Sequence, residues 1–229
     1  MKKLAALFSG GKDSTFSIYK SQQEGHEIKC LISILPKTDE SLIFHYPNIK
    51  LTTYLSKALE IPLISRESSS TEKNFEICNL ELIVKQAIEE YGINGLVHGG
   101  IRSEFQRRIF QNCCDKFNLE LYSPIWKIDS YLYLKSLLEQ DFKIMIIGIS
   151  SMGLEKKWLG VILDTTNLLE LNHLSIKNSF DLSFEGGEAE TLVIDSPIHK
   201  KKLKILNSQT TWDGQRGIFE ILDVELIEK

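Results

Sequence analysis

Lys3-Leu4-Ala5-Ala6-Leu7-Phe8-Ser9-Gly10-Gly11-Lys12-Asp13-Ser14 runs from apolar to glycine to polar within twelve residues. The unbroken apolar half predicts a short strand buried on both faces, as in a parallel sheet. A helix is expected from about Asp13 to Glu24, with Gly25 as its stop. A glycine turn between a first strand and a first helix lies at the carboxyl edge of a parallel sheet, where open α/β folds take ligands. Backbone N–H groups converge at a helix N-terminus, and the aligned peptide dipoles favour an anion there. Gly10 and Gly11 let the backbone turn tightly, Ser9 and Ser14 add hydroxyls, and Lys12 supplies a positive charge. The loop therefore has the makings of a phosphate cradle. It is neither the Walker loop, which needs Gly-Lys followed by Ser or Thr, nor the Rossmann glycine fingerprint.

Downstream, the pattern alternates. Strands are expected at residues 27–35, 62–65, 95–98 and 119–122, and helices at 49–60, 71–91 and 103–117. Leu80, Ile83, Val84, Ala87, Ile88 and Tyr91 recur at helical spacing on one face of the longest helix. Strands alternating with helices imply right-handed crossovers and a parallel sheet. After Pro124 the pattern changes to helices near 130–139 and 165–177, with strands at 143–149, near 189–194 and near 218–227. The expected class is α/β, a Rossmann-like parallel-sheet domain over 1–125 followed by a smaller α+β domain over 126–229.

The chain has 229 residues, 42% hydrophobic and 25% charged, with a net charge of −4. That is ordinary for a globular protein and gives no global attraction for nucleic acid. The four cysteines form no C-x-x-C pair, so neither a zinc site nor a redox pair is signalled, and they are expected to be small buried hydrophobes. The apolar run at the amino terminus is too short for a membrane span and lacks the spacing of a secretory signal, so a cytoplasmic location without membrane attachment is expected. A homodimer is compatible with the sequence.

The Ser-Gly-Gly-Lys-Asp-Ser loop in this position resembles that of the PP-loop ATP pyrophosphatases, a branch of the adenine-nucleotide α-hydrolase-like fold. Three further stretches are similar, in order and spacing, to one branch of it, the diphthine–ammonia ligases. They are Gly99-Gly100-Ile101-Arg102-Ser103-Glu104-Phe105-Gln106 with Pro124-Ile125-Trp126; Gly153-Leu154 through Trp158-Leu159-Gly160; and Glu185-Gly186-Gly187-Glu188-Ala189-Glu190-Thr191-Leu192-Val193. The resemblance covers nearly the whole chain, whose length is similar to the archaeal stand-alone form. It departs at Phe105, where the family has Tyr, at Phe184 for Gly, and at Val161 and Ile109 for basic residues.

What the resemblance implies is an ATP-dependent amidation. Diphthine on translation elongation factor 2 would be adenylated, pyrophosphate would leave, and ammonia would displace AMP. Ser9, Gly10, Gly11, Lys12, Asp13 and Ser14 would then hold ATP, joined by Gly99, Gly100, Ser103 and Gln106. Asp13 would place Mg²⁺ or would only cap the first helix. Glu185, Gly186, Gly187, Glu188, Glu190 and Thr191 would serve the acceptor. The carboxylates would attract the trimethylammonium group, hold ammonium, or take its proton.

Weaker signals have bland alternatives. His45 lies in the polar loop 36–48, as a site residue or a surface histidine, and His98 reads as a packed histidine. Trp126 and Trp158 suit a quaternary-ammonium cage or plain packing. His199-Lys200-Lys201-Lys202 with Lys204 suits an acidic partner or a solvated face. The rival functions are a PP-loop tRNA-modifying enzyme, a glutamine-dependent amidotransferase subunit and a non-catalytic ATP-binding protein. A glutaminase nucleophile is absent from the amino terminus, and the acidic balance disfavours RNA.

Overall fold

A computed structural model describes residues 1–36, 49–68 and 73–229. The first apolar run forms β1 (Lys3–Leu7), and α1 (Lys12–Gln23) leaves the glycine turn behind it. Strands β2 (Glu27–Pro36), β3 (Leu63–Ser68), β4 (Gly95–Val97) and β5 (Glu120–Tyr122) join β1 in one sheet. Its order is β3-β2-β1-β4-β5 and every pairing is parallel. The crossovers carry α2 (Thr52–Leu59), α3 (Lys73–Tyr91) and α4 (Glu104–Lys116). The chain lays β2 and β3 on one side of β1 and then returns to lay β4 on the other. That reversal opens a crevice between the carboxyl ends of β1 and β4, the place where such sheets bind ligands.

Burial follows the expected helical spacing. Leu80, Ile83, Val84 and Ala87 of α3 pack with Ala5, Ile32, Leu96 and Phe110 in one core. Each large apolar side chain buried there stabilises the fold by about 1.5–3 kcal/mol. Cys30, Cys113 and Cys114 are buried too, and burial pushes each thiol up to about 12, so they act as inert small hydrophobes, whereas Cys78 is exposed.

The chain divides into two compact units, Met1–Trp126 and Lys127–Lys229. The second contains α5 (Ser130–Glu139), β6 (Lys143–Ile149), α6 (Thr165–Asn178) and β7 (Ala189–Asp195), then β8 (Lys201–Trp212) and β9 (Gly217–Glu228). Its sheet is antiparallel in the order β7-β6-β9-β8. Asp129 caps α5, and Asp164 caps α6 in a reciprocal box with Asn167. β9 pairs with β6 only at Gly148 and Ile149; beyond that, residues 160–163 run beside β6 instead, with Ile146 and Leu163 donating to Val161 and Ile144. Gly160 makes the turn at φ 80°, where a Cβ would stand 2.8 Å from the Phe219 ring.

The sequence reading missed β8. Its first half is lysine-rich and its second half polar, which resembles a solvated segment more than a strand. It is stable because it lies at the sheet edge, where lysines are tolerated, and because carboxylates of β9 and of the end of β7 answer its charges. Lys201 pairs with Glu228, Lys204 with Glu225, and Lys202 with Asp195. His199 is buried, so the basic run is largely neutralised and is no open cationic patch. Trp158 is buried as well and cannot wall an open cation cage, while the face of Trp126 is taken by the Arg107 guanidinium at 4.4 Å.

Two buried imidazoles make the fold sensitive to acid. Burial pushes His98 and His199 down from 6.5 to about 4; Arg107 adds to the effect at His98, and Asp195 and Lys229 oppose each other at His199. Between those values the unfolded chain binds more protons than the folded one, so this stabilisation is complete above 6.5 and lost as pH falls towards about 4. Urea unfolding near neutral pH and near pH ~5 should show lower stability in acid, and His199→Gln should flatten that dependence.

Candidate active site

The glycine turn after β1 is braced by its own side chains. Gly10 has φ 80°, a left-handed conformation that a Cβ would strain. Gly11 is the N-cap of α1, and its carbonyl accepts from the Ser14 hydroxyl at 3.1 Å and the Thr15 hydroxyl at 2.9 Å. The Ser9 hydroxyl accepts from the Gly11 N–H at 3.3 Å and lies 3.3 Å from the Ser14 hydroxyl. Thr15 went unnoticed in the sequence because a threonine one turn into a helix has no signature of its own.

Lys12 is 2% exposed, and its ammonium contacts both carboxylate oxygens of Asp13, at 3.0 and 2.9 Å. A buried lysine needs an anionic partner, and in this conformation Asp13 supplies it. Asp13 is therefore not the cap of α1; it sits in the first turn, half-exposed, beside the only residue of the loop that carries a positive charge. A positively curved glycine turn, a helix N-terminus and a buried ammonium suit a polyphosphate.

The turn after β4 comes against this loop. A Cβ on Gly99 would stand 2.9 Å from the backbone of Asp13 and Ser14, so glycine is needed for the two segments to meet. Gly100 rests on the His98 ring, and His98 is packed inside as expected. Ser103 is engaged as the N-cap of α4, its hydroxyl accepting from the Gln106 N–H at 3.4 Å. Phe105 and Ile109, two of the departures from the family pattern, line a groove of about 310 Å³ between α3 and α4 with Ile77, Glu81, Arg108, Asn112 and Cys113.

In the second unit the glutamate-rich segment forms a tight turn leading into β7. Phe184 has φ 63°, a left-handed conformation that explains glycine in the family pattern; burial against Phe180 offsets the cost of about 1 kcal/mol here. Gly187 has φ 82°. Glu188 holds the turn together. One carboxylate oxygen accepts from the Asp181 N–H at 3.0 Å, and its carbonyl accepts from the Ser150 N–H at 2.9 Å. Its other carboxylate oxygen is enclosed and has no hydrogen-bond partner among the described residues. A Cβ on Gly186 would stand 2.7 Å from Glu188. Glu190 lies opposite Gly148 in the β6–β7 ladder, and Thr191 beside it is buried. Glu185 is half-buried.

Three supporting residues were not singled out in the sequence. The Asp181 carboxylate accepts from the Ser183 N–H and hydroxyl, both at 2.7 Å, and from the Ser130 hydroxyl at 2.9 Å. Asp-x-Ser is a known turn signal, but nothing local links it to Ser130, fifty-one positions away. His45 lies outside the described residues. Among the described residues no group of three or more His, Cys, Asp or Glu is placed to hold a metal, and no helix is long and apolar enough to cross a membrane.

A parallel sheet with a glycine-rich loop at its point of reversal, joined to an antiparallel unit, defines an α/β protein of the Rossmann-like class with an appended domain. Residues 1–121 match the family model for the diphthamide synthase N-terminal domain, and residues 129–227 match that for the C-terminal domain. The chain belongs to the diphthamide synthase family. It is 29% identical over 226 residues to a diphthine–ammonia ligase from Danio rerio, covering 91% of this chain and 88% of that protein. It is 30% identical over 227 residues to one from Mus musculus, with 90% and 84% covered. Among solved structures it is similar to a predicted subunit of tRNA methyltransferase from Methanocaldococcus jannaschii, at 18% identity and a TM-score of 0.42, with 86% and 98% covered. That overlap is too low to add to the assignment.

Gly99→Ala tests the contact between the two loops. Overpacking against backbone costs about 1–3 kcal/mol, so adenine-nucleotide affinity should fall roughly tenfold or more by calorimetry.

Proposed function

We propose that this chain amidates diphthine on translation elongation factor 2, using ATP and ammonia, as the last step of diphthamide formation. The observation that carries the reading is the match of both units to the two diphthamide synthase domain models, together with relatives named diphthine–ammonia ligase over most of their length. The chemistry is that of a C–N ligase. A carboxylate oxygen of diphthine attacks the α-phosphorus of ATP, and the bond to the β-phosphate oxygen breaks. Pyrophosphate leaves with its electron pair. Ammonia then attacks the acyl carbon, loses a proton, and displaces AMP to leave the amide. A free carboxylate is a poor acceptor for ammonia, and the mixed anhydride supplies a good leaving group.

The chain's own residues have to orient the reactants and offset developing charge. Ser9, Gly10, Gly11, Lys12 and Ser14 hold the phosphates, with Gly99, Gly100, Ser103 and Gln106 bordering the nucleotide. Lys12 exchanges Asp13 for the polyphosphate, which supplies a stronger anion. Mg²⁺, when bound with ATP, would neutralise phosphate charge, and Asp13, once released by Lys12, is the loop carboxylate suited to hold it. Glu188 offers its enclosed oxygen to a cationic donor, the ammonium or the trimethylammonium-bearing acceptor, with Glu185, Glu190 and Thr191 around it. The neutralised basic run gives no support to RNA as the acceptor. The partner is the diphthine form of elongation factor 2, in the cytoplasm.

Incubation with Mg-ATP, ammonium and diphthine-bearing elongation factor 2 should release AMP only when both co-substrates are present, and Lys12→Ala should stop it. AMP release without the acceptor, or amidation at wild-type rate in Lys12→Ala, would overturn the reading. Glu188→Ala should abolish amide formation while the affinity for ATP stays within about twofold, because its contacts lie in the second unit. Near-normal amidation in that variant would remove Glu188 from the site.

A further inference from the structure

We propose that His98 is a positioning residue for the nucleotide, its ring acting as the prop that sets the height of the Gly99-Gly100 turn against the phosphate loop. The inference rests on the nucleotide reading of that loop. His98 follows the last residue of β4, and its N–H donates to the Tyr122 carbonyl at 2.8 Å, which extends the ladder with β5 and pins the backbone. The ring is 4% exposed and packs against Phe110, with ring centroids 4.7 Å apart. It occupies the space that any side chain at position 100 would need: a Cβ there would stand 2.3 Å from Cε1 and 2.5 Å from Nε2. A Cβ on the next residue back, Gly99, would stand 2.9 Å from the Asp13 and Ser14 backbone, so the two segments pass closely there.

The turn is therefore clamped between an imidazole on one side and the first turn of α1 on the other. A ring on the surface would swing away from an added methyl, but this one is boxed in by Phe110 and its own burial. Displacement at Gly100 must pass to Gly99 and from there to the backbone of the phosphate loop. Burial, with the charge of Arg107 nearby, keeps the imidazole neutral near pH 7, so it supports the turn without adding a positive charge to it. Positions 98 and 100 behave as one unit: a ring at 98 demands glycine at 100, and removing the ring makes room for a side chain there.

That exchange can be tested on the full chain by calorimetry with Mg-ATP. Gly100→Ala should weaken binding about tenfold, and the double variant His98→Ala with Gly100→Ala should return to within about threefold of the wild type. In turnover, Gly100→Ala should raise the KM for ATP and leave the KM for ammonium unchanged. Wild-type affinity in Gly100→Ala overturns the inference, as does a double variant no better than the single one. If Gly100→Ala does not fold, the double variant must fold and bind, and its failure to do so is equally decisive. A wild-type chain that does not bind Mg-ATP at all would remove the nucleotide reading itself, a result distinct from normal binding with no coupling between the two positions.

Discussion

Leu4, Ala5 and Ala6 of β1 have no exposed surface, with β2 hydrogen-bonded along one edge and β4 along the other. A strand confined on both faces and both edges has one free direction, its carboxyl end. The glycine turn that follows must therefore project into the crevice where the chain reverses between β1 and β4. Because β4 is the next neighbour, its own exit turn arrives at the same place. The small side chains of Ala5 and Ala6 on the central strand leave room for helices to pack closely on both faces, and α1 can start directly from the turn. The meeting of the two turns is thus a consequence of strand order more than of any one side chain.

Each unit holds one ionisable group in a confined setting, Lys12 fully buried in the first and Glu188 half-buried in the second. Lys12 sits at the base of α1 with Asp13 as its anion, a pairing that offsets desolvation. Glu188 spends one oxygen on the Asp181 N–H and keeps the other enclosed. An enclosed acceptor without a donor is costly. Hydroxyls brace the first turn, at Ser9, Ser14 and Thr15, and the backbone N–H groups of Asp181 and Ser150 brace the second.

The first unit's element order was legible from periodicity alone because its strands are apolar and its helices amphipathic. The glycine turn after β1 was legible for a different reason: it is contained in six consecutive residues whose backbone conformation is local. The second unit was read less well. β8 hid behind lysines and polar residues, since an edge strand owes its stability to cross-strand pairs with β9, which no local pattern records. For the tryptophans and lysines the sequence left a functional and a plain reading open; Trp158 is buried in packing, and Lys201, Lys202 and Lys204 lie on a solvated face in ion pairs.

Local composition and spacing were thus enough to establish an α/β chain, a glycine turn after its first strand and a glutamate-rich turn, because strands, helices and glycine turns are specified by neighbours a few residues apart. Which residues support those loops was settled by packing across long separations. Gly99 meets Asp13 and Ser14, His98 fills the space over Gly100 with Phe110 behind it, and Ser130 reaches Asp181. Close contacts of this kind depend on where whole strands and helices come to rest, and a linear pattern carries no measure of that distance.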